Sequence, residues 1–463
     1  MSTLASKPKE NESISQEVLD HLKISLRGKL ILPGHDGYDQ SRALWNGMFD
    51  KNPKLVIRAA GVSDVIQAVN FTRKHQLTLA IKSGGHHLAG KSSCDEGLQL
   101  DMSGMKGIFV DPHNKTVKVE SGVLLSELDH ETQAFGMAVP AGVVSHTGIA
   151  GLALGGGQGW LMNKFGLTAD NLLSADVVLA DGSFVKASAE ENPDLFWALR
   201  GGGGNFGVVT SFEFRMHKVG KMLAGMLIYP FSEAREVLKY YAQYVMETPD
   251  EMSVIATIGS LPDIGQVIIL APGWCGELQE GEELLKPLRS FKTPIADTIA
   301  PVKYAALQQS FDAMFPHHQN YYGKMGYTTE LSEPFVDRLI EHYESFTTLN
   351  YITMFNAMKG ALTRVHPEET PFPYRRKQFY FDNLAMWTEP AENELHLEKM
   401  RKLWSDLEPY TDGTAVSWLM EDDDTDRVKE AYASNYRRLS EIKRKYDPDN
   451  FFHMNKNIEP ASA

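Results

Sequence analysis

Between residues 50 and 215 the apolar positions recur with a period of two in some stretches and of three to four in others, which predicts alternating strands and helices. The run Leu55-Val56-Ile57 predicts a strand, and Ser63 then caps a helix with Val65, Ile66 and Val69 on one side. Leu77, Leu79 and Ile81 predict a second strand that runs straight into Ser83-Gly84-Gly85-His86-His87. Further strands are predicted around Leu98, Leu100 and Met102 and around Val117 and Val119. Asp181-Gly182 predicts a tight hairpin. Asn192-Pro193 before Leu195-Phe196-Trp197 predicts a helix with Pro at its first position, ended by Gly201 to Gly204. Near the start, Ser13 with Gln16 fits a capping box ahead of Val18, Leu22 and Ile24, and the residues before Ser13 read as disordered.

From about Lys218 the texture changes. Glycine thins out and Tyr, Phe and Met become frequent, which predicts a separate lobe of helices and alternating strands up to about Val416. One helix is then predicted to carry Val428, Tyr432, Tyr436, Leu439, Ile442 and Tyr446, with Asp447-Pro448 stopping it. No internal repeat is visible.

A chain of 463 residues has room for two or three lobes, and its 43% hydrophobic and 23% charged residues are ordinary for a globular protein. The net charge of −14 disfavours nucleic acid and anionic membranes as partners and leaves a small neutral or cationic substrate. Cys94 and Cys275 make neither a disulfide framework nor a four-thiolate metal site. No signal-peptide pattern and no membrane-length apolar run is present, so the expected location is cytoplasmic.

Three motifs compete for the chemistry. Gly85 to Ser92 satisfies the phosphate-loop pattern GxxxxGK[ST], but the alternation Leu98-Gln99-Leu100-Asp101-Met102 follows it where that loop needs a helix. Gly202-Gly203-Gly204-Asn205-Phe206-Gly207 is a formal GxGxxG, yet it leads into the strand-like Val208 to Phe214 rather than a helix. His86, His87, Cys94 and Asp95, or His317-His318, lack metal-ligand spacing, so no metal is expected. The glycines from Leu152 to Gly207 predict tight turns or a wall of backbone amides around a large cofactor.

The segment Lys82-Ser83-Gly84-Gly85-His86-His87, followed by Leu98-Gln99-Leu100-Asp101-Met102-Ser103, resembles the (R/K)SGGH…(I/V)DLS signature of the vanillyl-alcohol oxidase/p-cresol methylhydroxylase superfamily of flavoproteins. It is most similar to the berberine-bridge-enzyme-like branch, which includes bacterial hydroxynicotine oxidases and oligosaccharide oxidases. Thr147 to Gly157 resembles the second flavin loop of that family. Gly166 to Asn171, Leu195 to Thr210 and the closing Tyr446 to Ile458 resemble its later signatures. The likeness spans about residues 50 to 215 and 425 to 460.

The resemblance implies an α+β fold in which two subdomains clasp FAD while an antiparallel sheet, covered by helices, supplies the substrate pocket. It implies an N-terminal extension and helix over 1–49, a p-cresol-methylhydroxylase-type FAD-binding domain over 50–218, a substrate-binding domain over 219–415 and a returning segment over 416–463. His86 falls where the family links an imidazole to the flavin. Ser83, Gly84, Gly85 and His87 fall at the pyrophosphate, where backbone amides form an anion nest. Thr147, Gly148, Gly151 and Gly157 fall at further phosphate and ring contacts, Asn171 within a later signature, and Val208 at the adenine. Asn455 and Asn457 fall near the ring's polar edge or in the closing strand. Some relatives add a second link through a cysteine where Val144 stands here, so a single link is expected.

A proton acceptor is needed as hydride leaves the substrate, and Tyr432 is the family-like candidate base. It also fits its helix's buried stripe, and at an ordinary pKa near 10 it needs a positive charge or a second tyrosine beside it. Tyr380 and Trp387 are expected on the sheet facing the flavin. The leading expectation is an oxidase of a small alcohol, amine or sugar-like molecule that passes electrons to O2 and releases H2O2. The alternatives are a dehydrogenase with another acceptor and, further off, a phosphate-loop nucleotide hydrolase or a flavin-binding protein without turnover.

Overall fold

The computed structural model describes residues 14–346 and 350–462. The residues before Ser13, and Ser13 itself, lie outside them. The cap of the first helix, Gln16–Ser25, is Ser15, whose hydroxyl accepts from Val18 N.

A four-stranded sheet comes first, in the order Lys29–Ile31, Leu55–Arg58, Leu98–Asp101, Leu79–Lys82. The last three strands run parallel. Parallel strands are covered on both faces, which is why Leu55, Val56 and Ile57 form an unbroken apolar run with no polar alternation. The crossover helix Val62–Lys74 buries Val65, Ala68 and Val69. Its cap is Gly61 rather than Ser63, because Asp64 already receives the amides of Arg27, Gly28 and Ala60.

A five-stranded antiparallel sheet follows, in the order Ile108–Asp111, Thr116–Glu120, Val208–Arg215, Leu172–Val178, Phe184–Ser188. Its last two strands are the predicted hairpin, with Gly182 at φ 83°. The helix Pro193–Leu199 begins at the predicted proline.

Residues from Lys221 build a larger antiparallel sheet. Its centre is Gly265–Trp274, Met252–Leu261, Tyr351–Ala357, Phe379–Trp387 and Asn320–Thr328, in that order. The helices Ala234–Glu247, Glu333–Ser345 and Asn393–Leu407 pack against it. In the first of these Val237, Leu238, Tyr241 and Val245 fall on one stripe and are fully buried. Burying each such side chain contributes about 1.5–3 kcal/mol. The Tyr241 hydroxyl donates to the carbonyls of Val254 and Phe355 on two neighbouring strands. The architecture is therefore α+β, as the resemblance implied.

The single long helix expected near the C-terminus is two. Thr425–Tyr432 ends at Ala433, whose φ is +45°, and Tyr436–Tyr446 follows. The apolar spacing continues across the break because both pieces bury against one core, shared with Trp197 and Phe206. Among the described residues no helix is long and apolar enough to cross a membrane.

Candidate active site

The strand Leu79–Lys82 delivers its following loop to a fixed place. Lys82 Nζ donates to the carbonyls of Ser41 and Ala43, and Ser83 Oγ donates to Ser121 O at 2.6 Å. Trp45 N holds Gly85 O, and Gly85 sits at φ 71°, where glycine is favoured. The second glycine loop lies directly against the first. A Cβ placed on Gly84 would stand 2.3 Å from Gly148 N, and one on Gly148 would stand 2.4 Å from Gly84 N. Both positions therefore require glycine for backbone to meet backbone.

These loops form one wall of a cleft of about 450 Å³. Ser83, Gly84, Gly85, His86 and His87 line it, and so do Thr147, Gly148, Gly151 and Gly157. Val208 and Asn455 line it from the start of a strand and from the returning C-terminal segment. Two expected residues lie elsewhere. Asn171 donates to Phe165 O and Leu167 O and meets His217 through Oδ1, so it staples a turn. Asn457 is not among the lining residues.

The returning segment is tied down by a fully buried ion pair. Lys443 Nζ meets Asp447 at 2.6 Å and also donates to Asn205 O and Phe452 O, while Asp447 receives the amides of Phe451 and Phe452.

The residues present fit a flavin. A Cβ on Gly151 or Gly204 would meet nothing within 4 Å, so at both positions bare backbone faces open space. Tyr432 Oη, Gln158 Nε2 and Asn455 Oδ1 are buried at the cleft without a hydrogen-bond partner among the described residues. Groups of this kind are ordinarily satisfied, so they suit the polar edge of a bound ring.

The opposite wall is the larger sheet. Tyr380, Asp382 and Leu384 alternate on the face that lines the cleft, with Asn356 and Met354 directly across from Tyr380 and Asp382. Trp387 lies an odd number of positions from Tyr380, so it faces the other side; its Nε1 donates to Asn393 and its ring stacks on His396. Burial pushes the Asp382 carboxyl up to about 7. Burial also holds the phenols of Tyr380 and Tyr432 above their ordinary range, the neighbouring Asp382 adding to the first and Tyr436 to the second. Among the described residues no positive charge is set against Tyr432, and Asp382 is the cleft's carboxyl that exchanges a proton near pH 7. Sequence reading passed over Asp382; its signal was a lone carboxylate within the apolar run Phe379-Tyr380-Phe381.

The metal groupings weighed from the sequence do not form. Cys94 is buried, with its sulfur near the carbonyls of Thr78 and Leu98. His86 instead meets His146 and His317, two imidazoles from distant loops. The phosphate-loop reading is overturned as well: turns and the strand Leu98–Asp101 follow Ser92, and Lys91 pairs with Glu421.

A family model described as an FAD binding domain matches residues 53–188, and one described as berberine and berberine like matches residues 408–459. An FAD-linked oxidoreductase of Dictyostelium discoideum is 31% identical, covering 96% of this chain and 97% of its own. The (R)-6-hydroxynicotine oxidase of Paenarthrobacter nicotinovorans is 29% identical over 95% of this chain and 98% of its own. The crystal structure of 6-hydroxy-D-nicotine oxidase from Arthrobacter nicotinovorans superposes with a TM-score of 0.87 at 28% identity, covering 95% of this chain and 99% of that one.

Proposed function

Given that the chain belongs to the FAD-linked oxidoreductases that close with a berberine-like segment, we propose that it is an oxidase acting on a small alcohol, amine or sugar-like molecule, with O2 as acceptor and H2O2 as product. The observation that carries this reading is the meeting, in one cleft, of the His86 glycine loops with Tyr380 and Asp382 of the facing sheet. The name of the hydroxynicotine oxidase relative favours an oxidase over a dehydrogenase.

In this reading residues 50–218 and 416–463 hold the cofactor and residues 219–415 shape the substrate pocket. FAD attaches through His86 alone, since Val144 lines the cleft where a second, cysteine link is expected in other relatives. When bound, FAD supplies the hydride acceptor, and the protein supplies position and electrostatics. Ser83, Gly84, Gly85, Thr147 and Gly148 present backbone to its phosphates, and Gln158, Tyr432 and Asn455 satisfy its polar edges. Asp382, ionised in part at pH 7, takes the proton from a substrate hydroxyl or ammonium group. Tyr380 keeps its proton and donates a hydrogen bond to the substrate oxygen where the substrate is an alcohol.

Acid denaturation tests the assignment. The wild-type polypeptide is expected to retain a yellow fluorescent band, and His86→Ala to release it. A colourless wild-type band removes the reading, and flavin that stays on His86→Ala removes the linkage. Peroxide release on secondary alcohols, cyclic amines and sugars supports the oxidase; turnover with an artificial acceptor alone supports the dehydrogenase.

A further inference from the structure

His86 Nε2 lies 2.7 Å from His146 Nδ1, and His317 completes a group in which one ring nitrogen of each histidine lies within 4.8 Å of the other two. The rings follow in sequence, with centroids 4.8 Å apart from His86 to His146 and 4.5 Å apart from His146 to His317. His86 and His146 are partly covered, whereas His317 is exposed, so the row leads from the cleft to solvent. Trp45 stacks on His86 at 4.9 Å, and its indole N–H is anchored on Phe315 O, which fixes the plane of the first imidazole. The Asp312 carboxylate is bound to Ser145 N and Oγ, one residue before His146.

Exposure sets the order of the row, and the charges distinguish its first two members. Burial, then His146 and His317, push His86 well below the usual histidine range, so it is neutral and one nitrogen keeps a lone pair. Burial lowers His146 too, but the Asp312 carboxylate and the carbonyls of Asp312 and Phe315 work against it. The same carboxylate, in the segment that carries His317, raises His317 too, but burial with His146, His318 and Lys82 outweighs it and lowers that imidazole to about 4, so His317 holds a proton only in passing.

We propose that His146 accepts the proton that His86 loses when the flavin is attached, and that His317 passes it to solvent. This rests on His86 being the attachment residue. Attachment joins a His86 nitrogen to a methyl carbon of the flavin ring. One proton leaves that carbon for water, its electron pair stays in the ring, and the His86 lone pair makes the new bond. The remaining imidazole proton, on Nε2, goes to His146. O2 then takes the two electrons with two protons and leaves as H2O2. His146 is a positioning residue in this scheme, acting through His86.

The test uses the full-length chain, made under riboflavin limitation and mixed with FAD. Covalent attachment is followed by intact mass after acid denaturation, and total FAD by absorbance before it. His146→Ala is expected to bind FAD yet attach it about a hundredfold more slowly, and added imidazole is expected to restore the rate. His146→Gln keeps bulk and an acceptor oxygen but takes no proton, so it is expected to stay slow. Attachment at the wild-type rate in His146→Ala overturns the proposal. Should that variant fail to fold, exposed His317→Ala still decides: slowed attachment supports the relay and an unchanged rate refutes it. One equivalent of a transition metal held by the wild type and lost from His317→Ala also overturns it, by making the three imidazoles a ligand set. Loss of the link in His86→Ala with normal attachment in His146→Ala sinks this proposal alone. A link that persists in His86→Ala sinks the linkage reading with it.

Discussion

Asp382→Asn is expected to make the protein more stable and less active at once, and the size of both effects follows from burial. The carboxyl sits at about 7 in the folded chain, against an ordinary value of 3.8. Between those values the folded chain holds a proton that the unfolded chain has released, so stability falls as pH rises from about 4 to about 7. At about 1.4 kcal/mol per pH unit, the wild type gives up at most about 4 kcal/mol above pH 7. Asparagine has the same shape and no charge to desolvate. The variant's advantage is therefore expected to be largest at pH 8, smaller at pH 5 and absent below pH 4. Its kcat/KM is expected to fall by about 10²–10⁴, the usual contribution of a positioned proton acceptor, and to lose the wild type's rise through pH 7. Urea midpoints of both holoproteins at pH 5 and pH 8, with peroxide release from pH 5 to 9, measure the two effects. Wild-type turnover in the variant, or a stability gap that ignores pH, refutes the reasoning.

Two further substitutions test how the cleft is held. Gly84→Ala places a methyl 2.3 Å from Gly148 N, so the two loops must part; the FAD content of the purified chain, read by absorbance, is expected to drop sharply while the far-ultraviolet circular dichroism stays as it was. Lys443→Ala leaves the Asp447 carboxylate buried and unpaired and frees the carbonyls of Asn205 and Phe452, at an expected cost of about 3–5 kcal/mol in urea unfolding. The double change Lys443→Met with Asp447→Asn is expected to recover part of that loss.

What could be read from the sequence was what the chain encodes locally. The strand Leu79–Lys82 with its glycine loop, the Asp181-Gly182 hairpin and the helix opened by Pro193 each carry their own turn chemistry. Contacts between distant segments were not legible. Ser63 has cap chemistry, yet Asp64 takes the neighbouring amides because Arg27 and Gly28 pack there. The apolar rhythm from Val428 to Tyr446 persists through the break at Ala433, since it records one shared core and not one helix. Asn171 lies in a matching motif but serves a turn, and a short motif does not separate that use from a cofactor contact. Asp382 needed the strand's orientation, and His146 and His317 needed three loops to meet.

The position of Asn455 and Lys456 in the cleft wall has a consequence for biosynthesis. His86 leaves the ribosome long before them; at about 5–20 residues per second, roughly 20 to 75 seconds separate the two. Once Arg215 has followed, both smaller sheets have all their strands, while the cleft still lacks a side. Chains that end before Asn455 are therefore expected to hold flavin less firmly, however well their sheets have formed.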